Sequence, residues 1–199
     1  MFKLVFDYCF ALLLAMFLLP VIIITAILIK LDSKGPILFC QTRVGKGGNN
    51  FTIYKFRTMH TNNAGSLFAL KGDKRITNIG KRLRRYRIDE IPQLINIFIG
   101  DMSIVGPRPL VRQTIRKYAK AFAIVHSVKP GITGLSAIKY HHQEEQLIAA
   151  SIDPSLVYEQ KIMPRKLRYE IFYVNNQSLL LDLKIIYWTA TDFMKKILK

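Results

Sequence analysis

Acidic residues are scarce in this chain. Its 199 residues hold 13 Asp and Glu against 30 Lys and Arg, a formal net charge of +17. That excess needs polyanionic company, which narrows the partners to nucleic acid, an anionic membrane surface or phosphorylated substrates. Cysteine is nearly absent as well. Cys9 falls in an apolar segment and Cys40 in a predicted strand, and neither has a neighbour at metal-ligand spacing. This excludes a disulfide framework and a zinc cluster, and it fits a reducing compartment. Internal repeats, low-complexity tracts, GxGxxG and the Walker pattern are all missing. Apolar residues, in contrast, are plentiful at 50% of the chain, which excludes global disorder and allows one domain with a real core. Apolar surplus and basic surplus together suit a membrane interface better than a simple nucleic-acid binder.

The apolar surplus is concentrated at residues 8–29, YCFALLLAMFLLPVIIITAILI, with no charge and one threonine. At ~1.5 Å per residue this run matches a ~30 Å hydrocarbon core. It makes a poor signal peptide, because only Lys3 and Asp7 precede it and no small-residue cleavage site follows. Pro20 removes a backbone donor mid-run and predicts a bend. The residues alone leave two readings open: a single kinked transmembrane helix, or a re-entrant helix that returns to the side it came from. Lys30, Lys34 and the basic body beyond them put the remainder on the cytoplasmic side.

After a DSKGP turn at 32–36, the segments ILFCQTRV and FTIYKFRTM predict a small β-hairpin over 37–57. The intervening Gly45, Gly47 and Gly48 read as a hairpin turn needing positive φ rather than as a phosphate loop. Residues 60–75 read as a polar, glycine-containing loop. A basic helical stretch, TNIGKRLRRYR, covers 77–87. Pro92 and Gly100 then bracket a short apolar helix, GPRPL marks a rigid bend, 110–125 an amphipathic helix, 129–134 a turn, and 141–170 a polar helix-prone stretch. The last segment, from 178 on, is either an interfacial helix or a core helix with a basic tail.

The chemistry gathers at Asp89 and Glu90. Adjacent acids usually just complement a helix N-terminus, worth ~0.3–1 kcal/mol. Here Lys81, Arg82, Arg84, Arg85 and Arg87 precede them and Arg108 follows in a Pro-Arg-Pro clamp. Cations with a carboxylate pair suit work on a diphosphate. The cations hold phosphates, one carboxylate can take Mg²⁺, and the other can attack phosphorus to give a reactive aspartyl phosphate. His141, His142, Glu144 and Glu145 match no zinc spacing and read as a solvated helix start.

These residues occur in a recognisable order: FD at 6–7, SKGP at 33–36, QTRVG at 41–45, YKFRTM at 54–59, DEIPQL at 89–94, GDMS at 100–103, VGPRP at 105–109, KPGITG at 129–134 and SLLLDLK at 178–184. In this set the chain resembles the bacterial sugar transferases, the monotopic polyprenyl-phosphate phosphoglycosyl transferases. The resemblance implies an α-rich α+β fold, with a re-entrant membrane helix bent at Pro20 over residues 1–34. A compact catalytic domain over 35–199 would carry the hairpin and several interfacial amphipathic helices. It implies transfer of a sugar-1-phosphate from a UDP-sugar to polyprenyl (undecaprenyl) phosphate, with Asp89 as nucleophile, UMP released, and Glu90 binding Mg²⁺. Lys55, Arg57, Arg84 and Arg108 would hold phosphates, with Glu170 and Asp182 as further candidates. The setting it implies is the cytoplasmic face of a bacterial inner membrane, with anionic phospholipid as partner and no nucleic acid. Three departures stand out. Leu19 replaces a common serine before Pro20. Leu135 to His141 replaces a Trp-Ala-Gln-Val-Asn-Gly-Arg continuation, and Glu170 replaces an aspartate.

Two readings outside this class compete: a non-enzymatic basic membrane-associated adaptor and a membrane-tethered nucleic-acid binder. Both explain the charge but not the order of the motifs.

Overall fold

In the computed structural model, residues 2–61 and 73–198 are described; most of the loop expected at 60–75 lies outside them. The chain folds as two compact units. The first comprises 1–41 and 52–99, the second 42–51 and 100–199.

In the first unit, α1 (Phe2–Asp32) is one helical element with Pro20 inside it. It is long and apolar enough to cross a membrane. Its buried residues, Asp7, Ala11, Thr25 and Ile29, lie near its two ends. Strands β1 (Leu38–Val44) and β2 (Asn50–Phe56) form the expected two-stranded sheet, of which residues 42–51 are counted with the second unit. At the tip between them Gly47 and Gly48 take φ of 68° and 77°, a conformation that glycine reaches without a Cβ clash. The basic stretch forms α2 (Asn78–Arg85), which Thr77 caps by accepting from the Gly80 N–H at 3.0 Å. A 3₁₀ turn (Ile88–Gln93) leads into α3 (Leu94–Ile99), and Gly100 ends it at φ 95°. The core of this unit is Ile29, Phe56 and Leu83, with Ile22, Ile37, Ile79 and Ile91 packed on it.

The end of α1 is fixed by polar bonds. The Asp32 carboxylate accepts from the Ile79 N–H at 3.1 Å, a second cap on α2. Arg57, buried, donates to the carbonyls of Lys34 and Ser33 at 2.5 and 2.8 Å. These carbonyls belong to the turn that follows α1. Past β2, residues 58–60 run beside 75–77, with Thr77 N–H on the Thr58 carbonyl and His60 N–H on the Arg75 carbonyl.

The second unit holds two differences from the sequence reading. Residues 129–134, expected as a turn, contain a strand, β4 (Gly131–Thr133), that pairs in parallel with β3 (Ser103–Val105), Ser103 opposite Gly131. Pairing across so many residues leaves no local signal. Glycine makes it possible, since a Cβ on Gly131 would lie 2.0 Å from Gly106 N and one on Gly134 2.4 Å from the Gly106 carbonyl oxygen. The helix expected over 110–125 is divided into α4 (Arg112–Ile115), a 3₁₀ turn and α5 (Ala119–Val125). Then follow α6 (Leu135–Ala149), α7 (Pro154–Val157), a π-helical turn, α8 (Met163–Asn175) and α9 (Leu179–Ile197). Phe122, Val125, Met163 and Leu167 form a core cluster here. Helix α9 joins both sequence readings: Asp182 and Ile185 are buried, while Leu180, Leu183, Tyr187 and Met194 are exposed. The α-rich α+β class is as expected.

Gly80 shows how tightly α2 is seated. A Cβ there would lie 2.2 Å from the Thr58 carbonyl oxygen, which is backbone and has nowhere to go. Gly80→Ala is therefore expected to destabilise the protein despite its better helix propensity, by about 1–3 kcal/mol, read as a lowered Tm in thermal unfolding.

Candidate active site

The acid pair is built on an unusual backbone. After α2 the chain turns at Arg87, whose φ of 52° is the sole positive value outside glycine among the described residues. The left-handed region costs a non-glycine residue of order 1–3 kcal/mol, and such residues cluster at functional sites. The turn delivers Asp89 and Glu90 to the start of the 3₁₀ segment. Glu90 is 9% exposed and its Oε1 receives the Lys55 Nζ at 2.8 Å. Lys55 projects from β2, and β2 is pinned to α3 by a side chain the sequence reading did not single out. Buried Asn96 accepts from the Tyr54 N–H at 3.1 Å and donates to the Thr52 carbonyl at 2.6 Å. Its amide thus behaves like one peptide of a neighbouring strand.

Arg84 is the cation of α2 that turns inward. Its Nε donates to Thr58 Oγ1 at 2.8 Å. Burial lowers its pKa from the ordinary guanidinium value, and the Asp89 and Asp73 carboxylates oppose that shift; a guanidinium stays charged in either case. Asp73 itself is clamped by Arg75 through both carboxylate oxygens, at 2.7–3.1 Å, and this holds its carboxyl down at about 2.

The first unit therefore brings together Asp89, Glu90, Lys55 and Arg84. Arg57 has another task, the anchoring of α1 through the Ser33 and Lys34 carbonyls. Arg108, Glu170 and Asp182 belong to the second unit. Arg108 is exposed and follows the glycine-packed β3–β4 pair. Its backbone N–H donates to Glu170 Oε1 at 3.3 Å, and Ser136 Oγ donates to the same oxygen at 2.5 Å. Glu170 Oε2 is buried and has no hydrogen-bond partner among the described residues. Asp182, fully buried, bonds the Tyr173 hydroxyl at 2.7 Å. Nearby in this unit Lys166 Nζ lies 2.9 Å from Glu144, and burial pushes the Tyr158 hydroxyl up to about 12.

The donor chemistry for a metal is all oxygen. Among the described residues no group of three acidic, His or Cys side chains gathers to hold an ion alone. The Glu90 carboxylate could serve a hard divalent ion such as Mg²⁺, which takes one or two carboxylates and completes its shell from substrate phosphates and water. The side chains of His141, His142 and Glu145 lie outside the described part of α6.

Comparison with known proteins gives the same direction. A family model described as bacterial sugar transferase matches residues 1–196. The chain belongs to this family. It is 38% identical over 180 residues to the UDP-N-acetylgalactosamine-undecaprenyl-phosphate N-acetylgalactosaminephosphotransferase of Aeromonas hydrophila, covering 88% of this chain and 39% of that protein. It is 36% identical over 197 residues to the UDP-glucose:undecaprenyl-phosphate glucose-1-phosphate transferase of Caulobacter vibrioides, covering 96% of this chain and 69% of that one. Against the exopolysaccharide production protein PSS of Rhizobium leguminosarum the identity is 35% over 203 residues, covering 96% and 94%. The chain thus spans about two-fifths of the length of some curated relatives and nearly all of another.

Burial raises the Glu170 carboxyl above its ordinary 4.5, against the hydrogen bonds from Ser136 and the Arg108 N–H and the nearby charges of Lys166 and Arg108. A carboxyl raised in the folded state binds more protons folded than unfolded, so its contribution to stability falls as pH rises above 4.5. Glu170→Gln is expected to remove that loss. Its Tm relative to the parent should climb between acid and neutral pH, and a constant offset across the series would refute the assignment.

Proposed function

We propose that this family member transfers a sugar-1-phosphate from a UDP-sugar to undecaprenyl phosphate. The observation that carries the reading is the convergence of Asp89 and Glu90 with Lys55 and Arg84 on a strained turn. The names of the relatives support the substrate classes.

Asp89 is the nucleophile. A carboxylate oxygen attacks the sugar-linked phosphorus of the UDP-sugar, an Asp89–phosphorus bond forms, and the bond to the bridging oxygen breaks with UMP leaving on that oxygen. A phosphate oxygen of undecaprenyl phosphate then attacks the same phosphorus, the Asp89–phosphorus bond breaks, and the carboxylate is regenerated. The mixed anhydride formed in between is reactive enough to pass its group to a weak acceptor. Arg84 and Lys55 hold phosphate oxygens as charge redistributes. Glu90 would hold Mg²⁺, which would supply charge neutralisation for the phosphates. Lys55 on Glu90 Oε1 fixes the rotamer of that carboxylate. Glu170 holds the backbone of Arg108, and Asp182 braces α8 against α9 through Tyr173. The product is the first lipid-linked sugar of a surface glycan.

The burial pattern of α1 supports re-entrance. Ala11 and Thr25 are about 21 Å apart along a straight helix, yet both are covered, as are Asp7 and Ile29 beyond them, while the residues between are exposed or half-exposed. A spanning helix leaves its far end with nothing of its own chain to pack on. A helix bent at Pro20 returns both ends to the cytoplasmic face of the inner membrane. The apolar faces of α3 and α9 give the protein further contact with lipid.

Intact-protein mass spectrometry with Mg²⁺ and a panel of UDP-sugars, without undecaprenyl phosphate, is expected to show a mass gain of one sugar phosphate. Asp89→Asn should show none and lose at least ~10³-fold in turnover, as removal of a nucleophile does. Glu90→Gln should keep the fold and lose rate. Near-normal turnover in Asp89→Asn would eliminate the covalent route.

A further inference from the structure

The mechanism uses one cation of α2. The others are arranged differently. Leu83 is buried in the core, Gly80 sits on the Thr58 backbone and Arg84 reaches Thr58. Lys81, Arg82 and Arg85 are exposed, and none forms an ion pair among the described residues. Residues 78, 81, 82 and 85 follow the i, i+3, i+4, i+7 spacing of one helix face, and all four are exposed. This face begins at the end of the apolar helix. Asp32, the last residue of α1, bonds the Ile79 N–H, so Lys81 and Arg82 stand within about one turn, ~5.4 Å of rise, of that contact. Lys30 and Lys34, both exposed, flank the same end.

We propose that the outward face of α2, together with Lys30 and Lys34, is a docking surface for anionic phospholipid headgroups. The occupant follows from position and charge. The apolar residues of α1 need lipid, and the cations begin where that apolar run ends, at the depth of the headgroups. Clusters of basic residues beside a membrane helix gain substantially from an anionic surface, an effect that fades within a Debye length and with salt. The two faces of α2 thus divide the labour. The inner face presents Arg84 toward Asp89 and the outer face grips the membrane, so a single short helix sets the height of the acid pair above the lipid. The inference rests on the reading of α1 as a membrane helix, and not on any step of the reaction.

The full chain in neutral detergent would be titrated with dioleoyl phosphatidylglycerol or dioleoyl phosphatidylcholine and bound lipid counted by native mass spectrometry. The parent is expected to prefer phosphatidylglycerol at low salt. Lys81→Gln/Arg82→Gln/Arg85→Gln should lose at least about tenfold of that preference, three cations near a surface being worth up to about a hundredfold. The charge-keeping variant Lys81→Arg/Arg82→Lys/Arg85→Lys should retain it. An unchanged preference in the Gln variant overturns the proposal. So does an equal loss in Arg116→Gln/Lys120→Gln, which removes exposed charge from the second unit, or displacement of the lipid by inorganic phosphate. Flotation with phosphatidylcholine vesicles separates the two readings. A chain that does not float fails the membrane reading itself, and one that floats without an anionic preference fails only this proposal.

Discussion

A carboxylate cannot be buried at Glu90 without an answering cation, and the first unit is organised around that demand. Lys55 supplies the cation from β2 at 2.8 Å. To keep it there β2 must be fixed to the helix that follows Glu90, and Asn96 does this through two backbone groups of the strand. Burying an ion pair brings desolvation costs comparable to the attraction gained, so well-packed apolar residues would serve stability as well or better.

Strain and burial at the site have separate origins. The left-handed Arg87 is imposed by the need to stop α2 with Arg84 turned inward and to begin the 3₁₀ turn at once. No intervening glycine relaxes the corner. The acid pair therefore sits on a backbone held from both sides, by the seating of α2 at Gly80 and by α3 through Asn96.

Much of this is legible in the sequence where the signal is local. The hairpin shows in its two β-rich runs and glycine tip, α2 in its Thr77 cap, and the acid pair in its basic surroundings. The features that stay hidden depend on contacts between distant segments. Strand β4 is three residues long and exists because Gly106 and Gly131 let two backbones touch. The resemblance gives Arg57 to phosphate on its place in the YKFRTM motif, and only the fold shows its guanidinium on the Ser33 and Lys34 carbonyls. Asn96 carries no signal within LINIFI except as a polar residue in an apolar run, and that mismatch is the available clue.

The seam that joins α1 to β2 and α2 also decides how the protein can be divided. Ile22 and Ile29 are part of the same core as Phe56 and Leu83, and Asp32 caps α2. Cutting after residue 34 to obtain a water-soluble fragment would therefore open that core, strip a cap from α2 and leave Arg57 facing no carbonyls. Grafting this helix onto another body, or another anchor onto this body, would have to carry Asp32, the Ser33–Lys34 turn, Arg57 and Gly80 as one inherited block. The anchor is a structural part of the acid-pair unit, and the two can be exchanged only together.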